Sequence, residues 1–282
     1  MRSLLTPRRV GLLAALLLVA PATVHAATTN VTITNVAPVV ASAALPSDTV
    51  SPTAGGTTNV TATIVVTDLN GCNDLSKVEA EVLTPTDAVH VARAAATYVS
   101  CADGSAATYR YVFPMRFHDA PAALDAGYKL SVVATDKQGA TGTNLASLLV
   151  FGYAELAALQ LDLATFDFGA DLAPGAQSAT VPLAVQNAGN TRIDAQLAGT
   201  AMAHASEDAA LPVESLRYAS SSDMQDAMPM GATAATLDGF DLAAGAASAR
   251  SLYWALSVPS GEAQWVPSGT YAGTVTVSAV KG

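Results

Sequence analysis

The sequence predicts an all-β protein made of two tandem antiparallel β-sandwiches behind a cleaved signal peptide. Three observations carry this expectation. Residues 57–83, TTNVTATIVVTDLNGCNDLSKVEAEVL, alternate apolar and polar side chains on both sides of a polar loop, so each flank reads as a strand with one buried face. No stretch of about ten residues or more sustains a helical period. Turn residues recur at intervals of roughly eight to twelve residues, the spacing of short sandwich strands.

The N-terminus sets the compartment. Arg2, Arg8 and Arg9 precede an apolar run over 10–20, and Val24 and Ala26 have the small-residue spacing that signal peptidase accepts, so cleavage after Ala26 is expected. The run is too short to span a bilayer comfortably, and no stop-transfer charges follow it. No cysteine sits at the cleavage point and the C-terminus has no apolar tail. The mature chain is therefore expected to be secreted, periplasmic or at the cell surface, with no membrane span of its own. The whole chain carries net charge −10, and residues 1–26 hold three arginines and no acid, which leaves −13. So acidic a chain repels phosphates and is not expected to bind nucleic acid.

Taken in order, 27–153 and 154–282 each read as one domain of ordinary size. Val31 and Ile33, then Val39 and Val40 after Pro38, mark an opening or edge strand. Pro52 and Gly55-Gly56 turn the chain into 57–83, where Val60, Ala62, Ile64 and Val66 share one face and Val78, Ala80 and Val82 another. Residues 89–99 are a weaker, irregular strand. In YRYVFPMRF, Tyr109, Tyr111, Phe113, Met115 and Phe117 lie on one face and form the heaviest part of the core. YKLSVVATD from Tyr128 alternates again, Asp136-Lys-Gln-Gly139 turns, and 145–151 closes the sheet.

The run YKLSVVATDKQGATGTN resembles the last strands of bacterial and archaeal immunoglobulin-like surface domains, where a Tyr opens the strand and an Ala-x-Asp-x-x-Gly turn follows it. TVSPTAGGTTNVTATIVVTDLNGCNDLSKVEAEV resembles the second and third strands of the same modules. The resemblance implies immunoglobulin-like sandwiches of exported proteins, covers most of 38–150, and implies no particular activity. The core Trp and the inter-sheet cysteine pair of antibody domains are missing from the matching positions.

From 155 the pattern changes to a leucine strand (Leu159, Leu161, Leu163), Phe166, Phe168-Gly169 and Pro174-Gly175. Asn187-Ala-Gly189-Asn190 then joins VPLAVQ to IDAQLAGTA, a turn suited to positive backbone dihedrals. This order, with Tyr271-Ala-Gly273 and Val275, Val277 at the end, resembles a second exported immunoglobulin-like module. Residues 202–235 are loop-rich with one strand at 215–218, and 151–158, with Leu156 and Leu159, form a packed joint.

Cys72 and Cys101 are the two cysteines, 29 residues apart, and in an oxidising compartment they are expected to form one disulfide worth roughly 3–4 kcal/mol. Asp68, Asn70, Asp74 and, from a later turn, Asp136 offer hard oxygens at one end of the sandwich, which suits calcium. The same residues are ordinary turn formers, and both readings stand. An EF-hand counted from Asp68 fails, because Asn73 stands where Gly is required. Met202, His204, Met224, Met228 and Met230 read either as soft copper ligands or as loop residues covering the sandwich.

Trp254 and Trp265 offer sugar-stacking surface or hairpin packing. His90, His118 and His204 stand alone, and no nucleophile elbow, phosphate loop or HExxH motif is present. Asn30-Val-Thr and Asn59-Val-Thr are glycosylation sequons. The functional expectation is a non-enzymatic secreted or cell-surface structural or adhesion module whose partner is a cell-envelope protein or a glycan. A carbohydrate-binding accessory protein is the alternative, and an envelope assembly chaperone binding a strand along its edge comes third.

Overall fold

A computed structural model describes residues 28–145, 148–260 and 265–282. The signal peptide expected at 1–26 lies outside the described residues. The fold is all-β, and residues 35–282 form one compact unit.

The first ten strands are β1 (Val39–Ala44), β2 (Thr49–Val50), β3 (Thr57–Thr67), β4 (Leu75–Leu83), β5 (Val89–Ala95), β6 (Thr97–Ala102), β7 (Ala106–Arg116), β8 (Tyr128–Asp136), β9 (Thr141–Thr143) and β10 (Leu149–Tyr153). They make two facing sheets, ordered β1-β3-β7-β6 and β2-β10-β8-β4-β5, with β9 continuing the line of β10 along β8. These are the ABED and GFC arrangements of the immunoglobulin fold, with an extra strand at each end of the second sheet. Every ladder in this half is antiparallel except β2 on β10.

The alternation of 57–83 has the expected effect. Val60, Ala62, Ile64 and Val66 of β3 and Val78, Ala80 and Val82 of β4 are buried. The two strands belong to opposite sheets, so the loop between them is a crossover and not a hairpin. Along β7, Tyr109, Tyr111, Phe113 and Met115 face the core. Phe117 falls beyond the strand end, half-buried and edge-on to His118.

Residues 89–99 resolve into two strands that change sheets at Ala96, whose N–H donates to Val78 O at 2.8 Å. Val31 and Ile33 are exposed and outside any strand, and β1 starts after Pro38. Between β9 and β10 the buried Asn144 takes over the ladder. Its Oδ1 accepts from Val132 N (2.8 Å) and its Nδ2 donates to Leu130 O (3.0 Å).

The second half contains β11 (Leu159–Leu161), β12 (Val181–Asn187), β13 (Ile193–Gly199), β14 (Met202–His204), β15 (Ala210–Leu211), β16 (Leu216–Ala219), β17 (Met228–Pro229), β18 (Ala235–Leu242), β19 (Ala249–Leu256), β20 (Tyr271–Ala272) and β21 (Val275–Lys281). One sheet runs β11-β12-β19-β16-β17, again an ABED order, and a second runs β18-β13-β21. A small sheet, β15-β14-β20, stands beside them. The core between the two larger sheets holds Leu183, Val185, Leu252 and Trp254 against Ile193, Leu197, Phe240 and Leu242.

The expected hairpin across 187–190 is not formed. β12 pairs with β11 and β19, whereas β13 pairs with β18 and β21, so 188–192 crosses from one sheet to the other. Gly189 is not among the residues of positive φ. It is required because a Cβ there would lie 2.0 Å from Leu156 O. Of the joint expected at 151–158, residues 151–153 belong to β10, and the remainder, 154–158, is held by hydrogen bonds. Asn190 Oδ1 accepts from Leu156 N (2.6 Å), its Nδ2 donates to Ala154 O (2.8 Å), and Gly55 N donates to Ala188 O (2.8 Å).

At the start of β8, Tyr128 is buried and its hydroxyl donates to Ala120 O at 2.9 Å, the tyrosine corner of the immunoglobulin fold. Burial, and after it the nearby Asp119, pushes the Tyr128 phenol up to about 12, and the same two causes raise Tyr153. The unfolded chain releases a Tyr proton near ~10, so the contribution of Tyr128 is complete below that pH and is lost as pH rises to about 12. Urea unfolding followed across this range should show a stability loss to which Tyr128 contributes roughly 2–3 kcal/mol and Tyr153 a further share, so Tyr128→Phe should reduce the loss without abolishing it, at a cost at neutral pH of about 1–2 kcal/mol for the lost hydrogen bond.

Candidate functional site

The candidate site is the end of the first sandwich where β3 stops, β4 starts and β8 stops. Leu75 and Asp136 are register partners, which brings the start of β4 beside the end of β8. β10 leaves the sandwich toward the second half beside Phe151 and Tyr128, at the other end of β8, about 26 Å away for a nine-residue strand.

Three local turns place the carboxylates. After β3, Asp68 N donates to Ser105 O (2.9 Å), Asp68 Oδ1 accepts from Asn70 N (2.8 Å), and Gly71, at φ 102°, leads into a single 3-10 turn, Cys72–Asp74. Gly is needed at 71 because of that φ, and a Cβ there would also press on Gly104 O at 3.3 Å. The disulfide expected from the sequence is formed, Cys72 to Cys101, and Cys72 N donates to Gly104 O (2.9 Å). The crossover loop is therefore clamped to the β6–β7 hairpin by a covalent bond and by backbone bonds. After β8, Asp136 Oδ1 accepts from Ala140 N (2.7 Å), and Lys137 N donates to Asp74 O (2.8 Å), tying the third turn to the second.

Asp68, Asp74 and Asp136 thereby converge, each with a carboxylate oxygen within 4.8 Å of the others. Asp68 and Asp136 are each 1% exposed and Asp74 is half-buried. Asn35 Nδ2 donates to Asp136 Oδ2 (2.7 Å), and this bond, ahead of the backbone bonds from the turn, holds the Asp136 carboxyl below the usual carboxylate range. Because the Asp74 oxygens can only accept, the Gln138 amide is assigned with its nitrogen toward them, at 2.9 and 3.1 Å. Asn70, grouped with these residues in the sequence, turns its amide oxygen to Val36 N (2.7 Å).

Asn35 and Gln138 join the site only in the folded chain. Gln138 lies two residues from Asp136 in the same turn and is within reach of sequence reasoning. Asn35 lies 101 residues from its partner, and nothing local marks it.

The other candidates disperse. Trp254 is fully buried, with Phe166 and Tyr218 around it at ring distances of 5.1 and 5.7 Å, and has no face to offer a sugar. Trp265 is 64% exposed. Met230 lies in the main core of the second sandwich and Met202 in a separate cluster with Leu211 and Leu256, so the methionines form no common site. His204 Nδ1 accepts from Ser206 N and Glu207 N, and its Nε2 faces Ser268 O, which occupies both ring nitrogens. Glu79 and Glu81, two further carboxylates on β4, are engaged in ion pairs with Lys77 and Arg93, respectively.

One other carboxylate pair is built by register, Asp194 facing Asp241 across β13 and β18. Arg192 holds Asp241 low, while the hydrogen bond with Asp241 holds Asp194 up.

No protein-family model matches the sequence, and no curated protein matches it. Among solved structures, the chain is similar to the crystal structure of the CsuC-CsuE chaperone-tip adhesion subunit pre-assembly complex from archaic chaperone-usher Csu pili of Acinetobacter baumannii. The identity is 10% and the TM-score 0.37, over 84% of this chain and 99% of that one. A likeness of that degree carries no functional argument. No helix among the described residues is long and apolar enough to cross a membrane.

The clamp on the crossover loop is directly measurable. Replacing both Cys72 and Cys101 by Ser frees a 29-residue loop in the unfolded chain and should lower stability by roughly 3–4 kcal/mol in urea unfolding. The intact protein in reductant should show the same loss, and a change below about 1 kcal/mol would count against the clamp.

Proposed function

We propose that the protein is a non-enzymatic, exported structural or adhesion module of the cell envelope, built of two domains, 27–153 and 154–282, and joined to its protein partner through the second. The observation that carries this reading is the open side of the second sandwich. Among the described residues β21 is paired on one side only, by β13. The core-facing residues of β13, Ile193, Ala195 and Leu197, are buried, whereas Val275, Val277 and Ala279 of β21 remain half-buried.

Leu159 and Leu161 of β11, the end strand of the larger sheet, are half-buried against the same core. An unpaired edge beside incompletely covered apolar side chains favours addition of an extended strand from a partner, with backbone bonds giving affinity and apolar side chains giving register. The hydrogen-bonded joint supports the same reading, because it fixes the first sandwich to the part that would be anchored.

Fractionation of cells that make the protein should place it in the envelope or the medium, crosslinked to an envelope protein through β21. Val277→Lys should abolish the crosslink; because Val277 packs against the core, the free protein should lose about 1–3 kcal/mol and still unfold cooperatively in urea. Retention in the cytoplasm, or a hydrolytic activity lost on a single substitution, would sink the proposal.

Exposure of Trp265 favours a second reading, a carbohydrate-binding accessory protein. A glycan array settles it. Binding that disappears in Trp265→Ala supports the sugar reading, and an array without binding removes it.

A further inference from the structure

Among the described residues, no side-chain ion pair supplies a counter-charge to the carboxylate cluster at the far end of the first sandwich. The hydrogen bonds that reach it come from neutral groups: Asn70 N on Asp68, Asn35 Nδ2 and Ala140 N on Asp136, and the Gln138 amide on Asp74. Among the described residues no ion pair involves Asp68, Asp74 or Asp136. Asp68 Oδ2 is buried and accepts no hydrogen bond. Burying a carboxylate oxygen without a donor, beside two further carboxylates, is strongly unfavourable unless a proton or a bound cation compensates it, and three converging hard-oxygen ligands are a geometry a cation can use.

We propose that Asp68, Asp74 and Asp136 bind a calcium ion, with Asp68 Oδ2 as the ligand that no protein group satisfies. The donors are all hard oxygens, which excludes a soft-metal site, and the sulfur at hand, Cys72, is committed to its disulfide. Ligand oxygens all within 4.8 Å of one another are close enough to share one calcium ion, whose Ca–O distance is about 2.4 Å. Magnesium demands near-ideal octahedral geometry and usually keeps several waters, whereas calcium accepts the irregular set that three turn-fixed carboxylates provide.

Asn70 positions the neighbouring chain by accepting from Val36 N. The three carboxylates come from both sheets, Asp68 from the end of β3 and Asp74 and Asp136 from the β4–β8 pair. The ion therefore ties one sheet to the other beside the disulfide, and it lies in a different sandwich from the proposed partner edge, so the two proposals fail separately.

The test is a calorimetric titration of the purified full chain, stripped with chelator, with calcium chloride and separately with magnesium chloride. One calcium site is expected, with a Kd on the order of 10⁻⁴–10⁻³ M or tighter, together with a melting temperature that rises with calcium concentration. Asp74→Asn, at the half-buried ligand, should weaken calcium binding by about tenfold or more. In chelator this variant should melt at the same or a higher temperature than the parent, because it relieves like-charge repulsion, a result that a purely structural Asp74 would not give. Asp68→Asn keeps the acceptor for Asn70 N and should act in the same direction. Absence of both heat and melting shift at about 10 mM calcium overturns the proposal, and so does magnesium binding as tightly as calcium.

Discussion

Where strands of this chain end, at crossovers between sheets and at turns within one, backbone groups lose their ladder partners, and at several of these corners buried Asp and Asn side chains replace them. A buried N–H or C=O left without a partner costs about as much as a lost hydrogen bond or more, so a sandwich with several crossovers has to solve this at each corner. Asp68 does so after β3, Asp136 after β8 and Asn144 between β9 and β10. Asp119 accepts from Arg116 N after β7. Asn187 is the fullest case, with Nδ2 donating to Thr191 O, Leu242 O and Ala243 O, and Oδ1 accepting from Gly189 N. The apolar alternation can fill the space between the sheets only because these corners are closed.

Two corners acquire a second consequence. At 187–190 the corner becomes the joint. Asn190 captures the backbone of 154 and 156, and the absence of a side chain at Gly189 lets Leu156 O approach, so one tetrapeptide turns the chain and locks two sandwiches together. At the far end of the first sandwich, three corners meet because β4 and β8 are register neighbours and the loop after β3 is clamped by Cys72–Cys101. Side chains selected for turn geometry are then close enough to act together on an ion. The turn-former and ligand readings of Asp68 and Asp136 are compatible, since one carboxylate oxygen of Asp68 serves the turn and the other is left over.

Much of the first half was legible in order. Strong alternation at 57–66, 78–82 and 128–134 reports a face directly, and Tyr128 with Asp136-x-x-Gly139 marked the corner and the turn. Residues 89–99 were not, because a strand that changes sheets at Ala96 buries neither face consistently and shows no period. The same limit hid β14, β15, β17 and β20, which are two or three residues long and too short to carry a pattern.

The sequence by itself determined the class of fold, the disulfide and the set of carboxylates, because period-two alternation, an even cysteine count and turn chemistry are local or compositional signals. Only the tertiary structure decided which strands pair. It made 187–190 a crossover instead of a hairpin, placed Trp254 in the core and Trp265 in solvent, left β21 half covered, and brought Asn35 to Asp136 across 101 residues. Alternation reports that a strand has an inner face. Which sheet that face looks into is settled by contacts between residues far apart in the chain, and no local pattern encodes them.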